Sequence, residues 1–172
     1  MGMRKLCAVL GLAAALAAPA FPVPDGLAGP SVGFGGILGD QGFVGGELDF
    51  GAPPSFSWGP EAMLAFGGGV GILGGVAGRF YIIPNYDYLV QPYLPFGGGG
   101  FVYFTNDGDD TPHDPGGGTE TTGGGYLHFG GGTDFDIPET PIVPYIDLGA
   151  LVYISGDTSA AFKIEIGVRF GK

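Results

Sequence analysis

The chain has 172 residues, which suits one domain, and 17 acidic residues against six basic ones give it a formal net charge of −11. This negative charge disfavours a nucleic-acid partner, because phosphates would repel the chain. Its 38 glycines and 15 prolines would suit a disordered chain, yet 45% of the residues are hydrophobic. Disordered segments are poor in hydrophobic residues, so we expect an ordered domain.

The first twenty residues have the layout of a secretory signal peptide. Arg4 and Lys5 precede an apolar run, Leu6 to Ala18, and small residues occupy the positions that a signal peptidase reads. The run is too short for a spanning helix, which needs about 20 apolar residues. We predict cleavage after Ala20, which leaves residues 21–172 as a single domain. Cys7, the only cysteine, would leave with the signal, so the mature chain would form no disulfide.

The rest of the chain alternates apolar and polar residues at the period of a β-strand. A helix is conceivable at Gly59 to Phe66, but alternation there also favours a strand. Turn signals between the alternating runs divide the chain into eight predicted strands. They cover residues 31–39, 42–51, 58–67, 74–83, 90–104, 123–134, 142–154 and 161–171.

Charged residues in these strands lie on the face opposite the large apolar ones. In the last strand, Phe162 to Phe170 alternates five apolar residues with Lys163, Glu165 and Arg169 on the other face. If the apolar face contacts lipid, the charges line a barrel interior. We predict an interior charge network with a structural role, made of five acids and three bases: Glu47, Asp49, Glu61, Arg79, Asp147, Lys163, Glu165 and Arg169.

Alternation alone also fits a soluble β-sandwich whose two apolar faces meet in a core. Three observations favour a membrane barrel instead. A signal peptide is present, and the last strand has nine alternating residues, close to the roughly 9–11 needed to cross a bilayer at a tilt. Aromatic residues also gather near strand ends, as in the girdles of membrane barrels. They are Trp58, Tyr81, Tyr93, Tyr103, Tyr145 and Tyr153.

Four segments resemble the small outer-membrane β-barrels of Gram-negative bacteria, such as outer-membrane proteins A and X. They are QPYLPFGGGGFVYF and VPYIDLGALVYI, each with a Pro-Tyr entry, followed by GFVGGELDFG and the terminal IEIGVRFGK. The resemblance covers almost the whole mature chain. It departs from the family at the C-terminus, where Gly171 and Lys172 follow the aromatic Phe170 that barrel-insertion machinery would read.

The resemblance implies an antiparallel, eight-stranded, transmembrane up-and-down barrel in the cell outer membrane after signal-peptide removal. It also implies a monomer in contact with outer-membrane lipid, with a structural or surface-interaction role. A barrel of this size is filled by its own side chains, so we expect a porin-like β-barrel domain whose interior is plugged by charged side chains, without a large pore. The alternative is a secreted soluble β-sandwich acting as an adhesive or ligand-binding module.

We expect neither a cofactor nor enzymatic activity. Gly69 to Gly74 matches the dinucleotide pattern GxGxxG, but a strand-like run follows where the pattern requires a helix. His113, His128, Ser155 and Ser159 could serve an enzyme acting at the barrel rim. No spacing places a nucleophile near a base, and His128 reads better as a polar residue of the barrel.

The longest connection, Thr105 to Thr122, is acidic and follows the fifth strand. Connections after odd-numbered strands emerge at the cell surface in such barrels, because both termini lie in the periplasm. Oxygen ligands in this loop suit a divalent cation, which could bridge it to lipopolysaccharide, although the spacing is not that of a calcium-binding loop. The surface-contact candidates are Asp107, Asp109, Asp110, His113, Asp114 and Glu120.

Overall fold

The computed structural model describes residues 30–37, 41–51, 56–82, 89–106 and 119–170. The predicted signal peptide, its cleavage site and Cys7 lie outside these residues. The described chain forms nine β-segments in the order β1 Pro30–Ile37, β2 Gln41–Leu48, β3 Phe50–Gly51, β4 Phe56–Phe66, β5 Gly69–Tyr81, β6 Val90–Asn106, β7 Thr119–Phe135, β8 Ile142–Ile154 and β9 Thr158–Phe170. No helix in the described ranges is long and apolar enough to cross a membrane.

Segments β2 and β3 are two parts of one strand. Glu47 pairs with Glu61 and Phe50 pairs with Trp58 in the same antiparallel register against β4. The interruption lies opposite Pro60, which has no N–H to donate to the ladder. The nine segments therefore make eight strands, the number predicted from the sequence.

Each strand pairs antiparallel with the next along the chain, and β1 also pairs with β9. The second pairing closes the sheet, so the fold is an antiparallel eight-stranded up-and-down barrel, as predicted. The β-sandwich fold of the alternative is wrong, because the strands form one closed ladder rather than two sheets packed face to face. Gly59 to Phe66 lies within β4, so the preference for a strand over a helix is confirmed.

Three connections are shorter than predicted. Only Gly67 and Gly68 separate β4 from β5, and both adopt the positive φ angles, 141° and 65°, that glycine tolerates best. The glycine pattern from Gly69 therefore lies inside a strand with no helix after it. The β6–β7 hairpin extends to Asn106 and Thr119, and β9 begins at Thr158, because cross-strand pairing continues beyond the predicted strand ends.

The outer face of the barrel is apolar. Twenty-two large hydrophobic side chains are exposed there and at the strand ends, including Phe34, Ile72, Leu127 and Ile166. Within the described ranges, the exposed charged residues Glu120, Glu139 and Asp157 lie near the ends of the barrel. Strands of 13 residues, such as β5, β8 and β9, exceed the length that crosses a bilayer.

The predicted aromatic girdle is wrong for most of its members. Trp58 is exposed on the outer face, but Tyr93 and Tyr145 are almost completely buried inside the barrel. Tyr145 is two residues from the inward Asp147 on β8, and Tyr93 pairs with Gly132, which is two residues from the inward Asp134 on β7, so both rings point to the interior. Tyr81 also bonds an interior carboxylate, while Tyr103 and Tyr153 pack against an apolar cluster inside.

Candidate functional site

The barrel interior divides into two chemically different halves along its axis. We call the end with the β6–β7 hairpin the loop end, and the end with the start of β1 and the finish of β9 the terminal end. The loop-end half contains a cluster that we call the apolar plug. It comprises Ile37, Phe43, Met63, Ala65, Leu73, Phe101, Tyr126 and Leu151, with Tyr103, Tyr153 and Ala161 packed against it.

The terminal-end half contains charged residues, which we call the ionic network. All eight residues of the sequence-based set have inward side chains there, and each is buried or nearly so. Two more buried titratable residues, His128 and Asp134, complete the network. Its ten members are Glu47, Asp49, Glu61, Arg79, His128, Asp134, Asp147, Lys163, Glu165 and Arg169.

Arg79 and Arg169 organise the part of the network nearest the terminal end. Arg79 bonds Glu47 at 2.5 Å and both carboxylate oxygens of Asp49 at 2.6 and 2.7 Å. The Nε of Arg169 lies 3.0 Å from Asp49, and its Nη1 bonds Asp134. Asp49 thus bridges two guanidinium groups, which fits its position at the interruption between β2 and β3, where its side chain is almost fully buried.

Two smaller groups lie deeper, towards the plug. The Nζ of Lys163 is 2.7 Å from Glu165, and the same ammonium lies over the ring of Phe43, 5.3 Å from its centroid. Glu61 accepts a hydrogen bond from the hydroxyl of Tyr126 and lies 3.0 Å from Nε2 of His128. Phe43 and Tyr126 belong to the apolar plug, so these contacts join the two halves.

Tyr93 and Tyr145 bind both arginines and the remaining carboxylates. Each guanidinium lies over both rings, with distances to the ring centroids of 5.4 to 5.9 Å. The hydroxyl of Tyr93 donates to Asp147 at 2.5 Å, and that of Tyr145 donates to Glu165 at 2.7 Å. The two tyrosines therefore combine a cation–π surface with a charge-assisted hydrogen bond.

Glycines opposite these aromatic rings explain part of the high glycine content. Tyr145 pairs across strands with Gly167, and Tyr93 pairs with Gly132. A Cβ atom on either glycine would collide with the tyrosine ring. The missing side chain gives each ring the space to lie flat inside a narrow barrel, an arrangement also found where aromatic residues cover glycines in sheets.

A cavity of about 20 Å³ lies where the network meets the plug, enough for one water molecule. Glu47, Glu61, Arg79, Asp147 and Lys163 are among its lining residues. Within the part of the chain that the structure describes, no group of three or more His, Cys, Asp or Glu residues could hold a metal ion.

The residues considered for an enzymatic role are not brought together. His128 is buried in the barrel beside Glu61, whereas Ser155 and Ser159 are exposed at the loop end. The hydroxyl of Ser155 bonds the backbone oxygen of Asp157. His113 lies outside the described residues. The interior arrangement neutralises and cross-links charges.

Of the predicted surface-contact set, only Glu120 lies within the described residues. Its side chain is exposed, and it pairs with Thr105 in the β6–β7 hairpin rather than lying in a loop. The other five candidates lie outside the described residues: Asp107, Asp109, Asp110, His113 and Asp114.

Sequence reasoning missed the apolar plug, Asp134 and the interior tyrosines. Parity offered a signal for the tyrosines, because Tyr145 is two residues from the inward Asp147. Asp134 ends the predicted strand 123–134 and also begins the run DFDIPETPI, which is predicted to be a connection, so it does not enter the predicted network. No alternation marks the plug, because both faces of those strand segments are apolar.

No protein-family model matches the chain, and no curated protein matches it either. Among solved structures, the chain is similar to the N-terminal β-barrel domain of Pseudomonas aeruginosa OprF, with a TM-score of 0.61 and 9% identity. The match covers 82% of this chain and 95% of that domain. A structure described as de novo design of transmembrane β-barrels also matches, with a TM-score of 0.47, 12% identity, and coverage of 88% of this chain and 100% of that one. In fold, the chain is therefore a small eight-stranded β-barrel similar to that domain of OprF.

Proposed function

We propose that the protein is a resident of the cell outer membrane with a structural or surface-interaction role, without a large pore. Its apolar outer face and its strands of up to 17 residues support insertion in a bilayer. The barrel fold shared with OprF supports the same reading. The signal-like first twenty residues support export.

The proposal that there is no large pore rests on one observation, which is that side chains fill the interior. At the loop end, Phe43, Met63 and Leu151 are buried against one another, so no wide aqueous path follows the axis. At the terminal end, two arginines and two tyrosines stack across the lumen. A solute would have to displace both layers to pass.

Planar-bilayer recording of the refolded protein tests this proposal. A heat-shift gel first establishes that the sample is a folded barrel, because closed barrels migrate differently before and after boiling. We expect folded samples to produce no large conductance steps. Reproducible steps of porin size from heat-shifting samples would contradict the filled interior, whereas a sample that never heat-shifts would contradict the membrane barrel itself.

We also propose that the loop end faces the cell surface and the terminal end faces the periplasm. An epitope tag between Gly117 and Gly118 should then bind an impermeant antibody on intact cells. A tag between Pro138 and Glu139, in the β7–β8 turn at the terminal end, is the matched control, and it should bind only after the outer membrane is opened. The reverse pattern would overturn the proposed orientation.

The acidic β6–β7 connection supports a contact role through divalent cations that bridge it to lipopolysaccharide. Carboxylates without neighbouring bases attract such cations, and lipopolysaccharide carries phosphate groups that bind them. Replacing Asp107, Asp109 and Asp110 by Asn should weaken calcium-dependent retention of the protein on lipopolysaccharide-coated beads. Equal retention of both proteins, with and without a chelator, would contradict the cation bridge.

A further inference from the structure

The β6–β7 hairpin rises above its neighbour at the loop end and leaves one strand edge open. β8 pairs with β7 only from Asp134 to Gly125, where Ile154 ends the ladder. The hairpin continues for six more residues of β7, Thr119 to Gly124, each of which pairs with β6. Within the described ranges, no strand pairs with the other side of this segment, which we call the open edge.

The open edge extends beyond the part of β7 that crosses the bilayer. The ten residues of β7 that pair with β8, Gly125 to Asp134, match the roughly 9–11 that span a membrane at a tilt. The open edge adds about 20 Å at about 3.4 Å per residue, and all six of its residues are exposed. It is supported by more than an isolated hairpin, because β6 in turn pairs with β5 as far as Thr105.

The open edge has the backbone groups for one more strand. In an antiparallel sheet, alternate residues of β7 direct their N–H and C=O groups towards β6 and away from it. Natural sheets often block such edges with lysine, proline or a bulge. The edge sequence TETTGG contains neither lysine nor proline, and its register with β6 runs without a bulge from Thr119 to Gly124. This backbone can therefore accept a further strand.

Charge determines which kind of strand fits this edge. Glu120 in the edge and Asp157 in the neighbouring β8–β9 turn are both exposed. The sequence has no Lys or Arg between Arg79 and Lys163, and both of these bases are buried in the ionic network. An acidic strand would be repelled here, whereas a lysine or arginine directly opposite Glu120 would form a favourable cross-strand pair.

A second copy of this chain does not fit the open edge. Two copies in one outer membrane point the same way, so their β7 strands could meet only in parallel, and parallel pairing is slightly less stable per residue. Each copy would also bring Glu120 and Asp157 to the contact, so like charges would face each other. The charge of the edge therefore favours a different, basic partner.

We propose that the open edge binds an extended, basic peptide segment of a partner protein as an additional β-strand. Backbone hydrogen bonds to the edge supply the affinity, and lysine or arginine side chains opposite Glu120 supply the selection by charge. This mode of binding needs no pocket, so it is compatible with the filled interior. The inference rests on the proposed surface-interaction role, since a partner outside the cell reaches the edge only if the loop end faces the cell surface.

Binding of a short fluorescent peptide of alternating lysine and threonine tests the proposal. The folded, heat-shifting protein is held in nanodiscs of zwitterionic lipid, and a chelator is present so that no divalent cation can bridge. A control peptide has the same side chains but N-methyl groups on every backbone amide. It should bind at least about tenfold more weakly, because it keeps its charge and loses its hydrogen-bond donors. Equal affinities for the two peptides, or no binding of the unmodified one, would overturn the proposal.

Glu120→Lys should weaken binding of the unmodified peptide several-fold. Glu139→Lys is the matched control, because it changes the net charge equally at an exposed residue of the β7–β8 turn, at the terminal end. Equal weakening by both variants would mean general attraction between charges and would contradict an edge site. Amide hydrogen exchange in Thr119 to Gly124 should also slow when the peptide binds, and unchanged exchange there would place the peptide elsewhere.

The epitope-tag experiment separates failure of this inference from failure of the proposed function. A surface-exposed tag on a protein that does not bind the peptide would reject the strand-binding edge and leave the surface orientation standing. Peptide binding by a protein whose tag lies in the periplasm would reject the surface role and leave the edge site standing.

Discussion

The apolar plug and the ionic network occupy equivalent inward positions of one barrel but fill it by different physics. In the plug, Phe43, Met63 and Leu151 fill space by packing, and any one of them could be replaced by another apolar side chain of similar volume. In the network, Asp49, Arg79 and Arg169 depend on one another for charge neutralisation. The comparison teaches that a filled barrel interior can tolerate side-chain substitution at one end and not at the other.

The difference lies in what a deletion leaves behind. Truncating a plug residue leaves a cavity, whose cost grows with its size and falls as neighbours relax into it. Truncating a network residue leaves a buried opposite charge with no partner, which no small relaxation can remove. Substitutions of equal size should therefore cost more in the network than in the plug.

The largest expected effect is that of Arg79→Ala, which removes the guanidinium shared by Glu47 and Asp49. Breaking a buried ion pair from one side typically costs about 3–5 kcal/mol, so unfolding in urea and the heat-shift midpoint should both move strongly. The triple variant that also carries Glu47→Gln and Asp49→Asn is the control, and it should recover part of the loss. If the triple variant is no more stable than Arg79→Ala, unpaired charge is not the cause.

A smaller effect is expected for Leu151→Ala in the plug. Leu151 is 1% exposed, and large-to-small changes at such positions cost about 2–5 kcal/mol, with the lower part of that range expected where aromatic neighbours can relax. Leu148→Ala is the matched control, because Leu148 is on the same strand but faces outward. Urea unfolding in vesicles should separate the two variants. Equal losses would mean that the plug is not a packed core.

The sequence predicted the fold well because the alternation of apolar and charged residues is strongest in β9, the strand whose pairing with β1 closes the barrel. Lys163, Glu165 and Arg169 alternate with apolar neighbours, and the same inward face is kept where β9 pairs with both β1 and β8. Alternation also placed the inward charges on one face. It could not show which acid would meet which base, because those contacts depend on strand register around the whole barrel.

The plug could not be predicted for a different reason. Met63 and Leu73 point inward, but their neighbours Leu64 and Ile72 are apolar as well, so the period of two disappears from the sequence. The positions of the tyrosines could not be predicted either, because Tyr has an apolar ring and a polar hydroxyl, which suit both a membrane girdle and a buried network. Only the position of the tyrosine in the alternation of its strand decides whether the ring faces lipid or the interior. That position is known only when the strand boundaries are correct.

The smallest expected effect is that of adding a methyl group at the glycines that leave space for the network. It tests whether these positions tolerate substitution as the plug does. Gly167 lies under Tyr145, and a Cβ atom there would lie 2.5 Å from Cε1 and from the hydroxyl of that ring. Gly167→Ala should therefore push Tyr145 away from Glu165 and from both arginines, at a cost of about 1–3 kcal/mol.

Gly131→Ala is the control for that substitution, because a Cβ atom at Gly131 meets nothing within 4 Å on the outer face of β7. We expect its stability to stay within about 0.5 kcal/mol of wild type in urea unfolding, as for most surface changes. Gly167→Ala combined with Tyr145→Phe should recover little, since the phenylalanine ring still occupies the same space and the hydrogen bond to Glu165 is gone. Full recovery in that double variant would show that the hydroxyl alone, rather than the ring, needs the glycine. In that case hydrogen-bond geometry, rather than packing, would determine the stability of the ionic network. The network would then differ even more from the apolar plug, which packing stabilises.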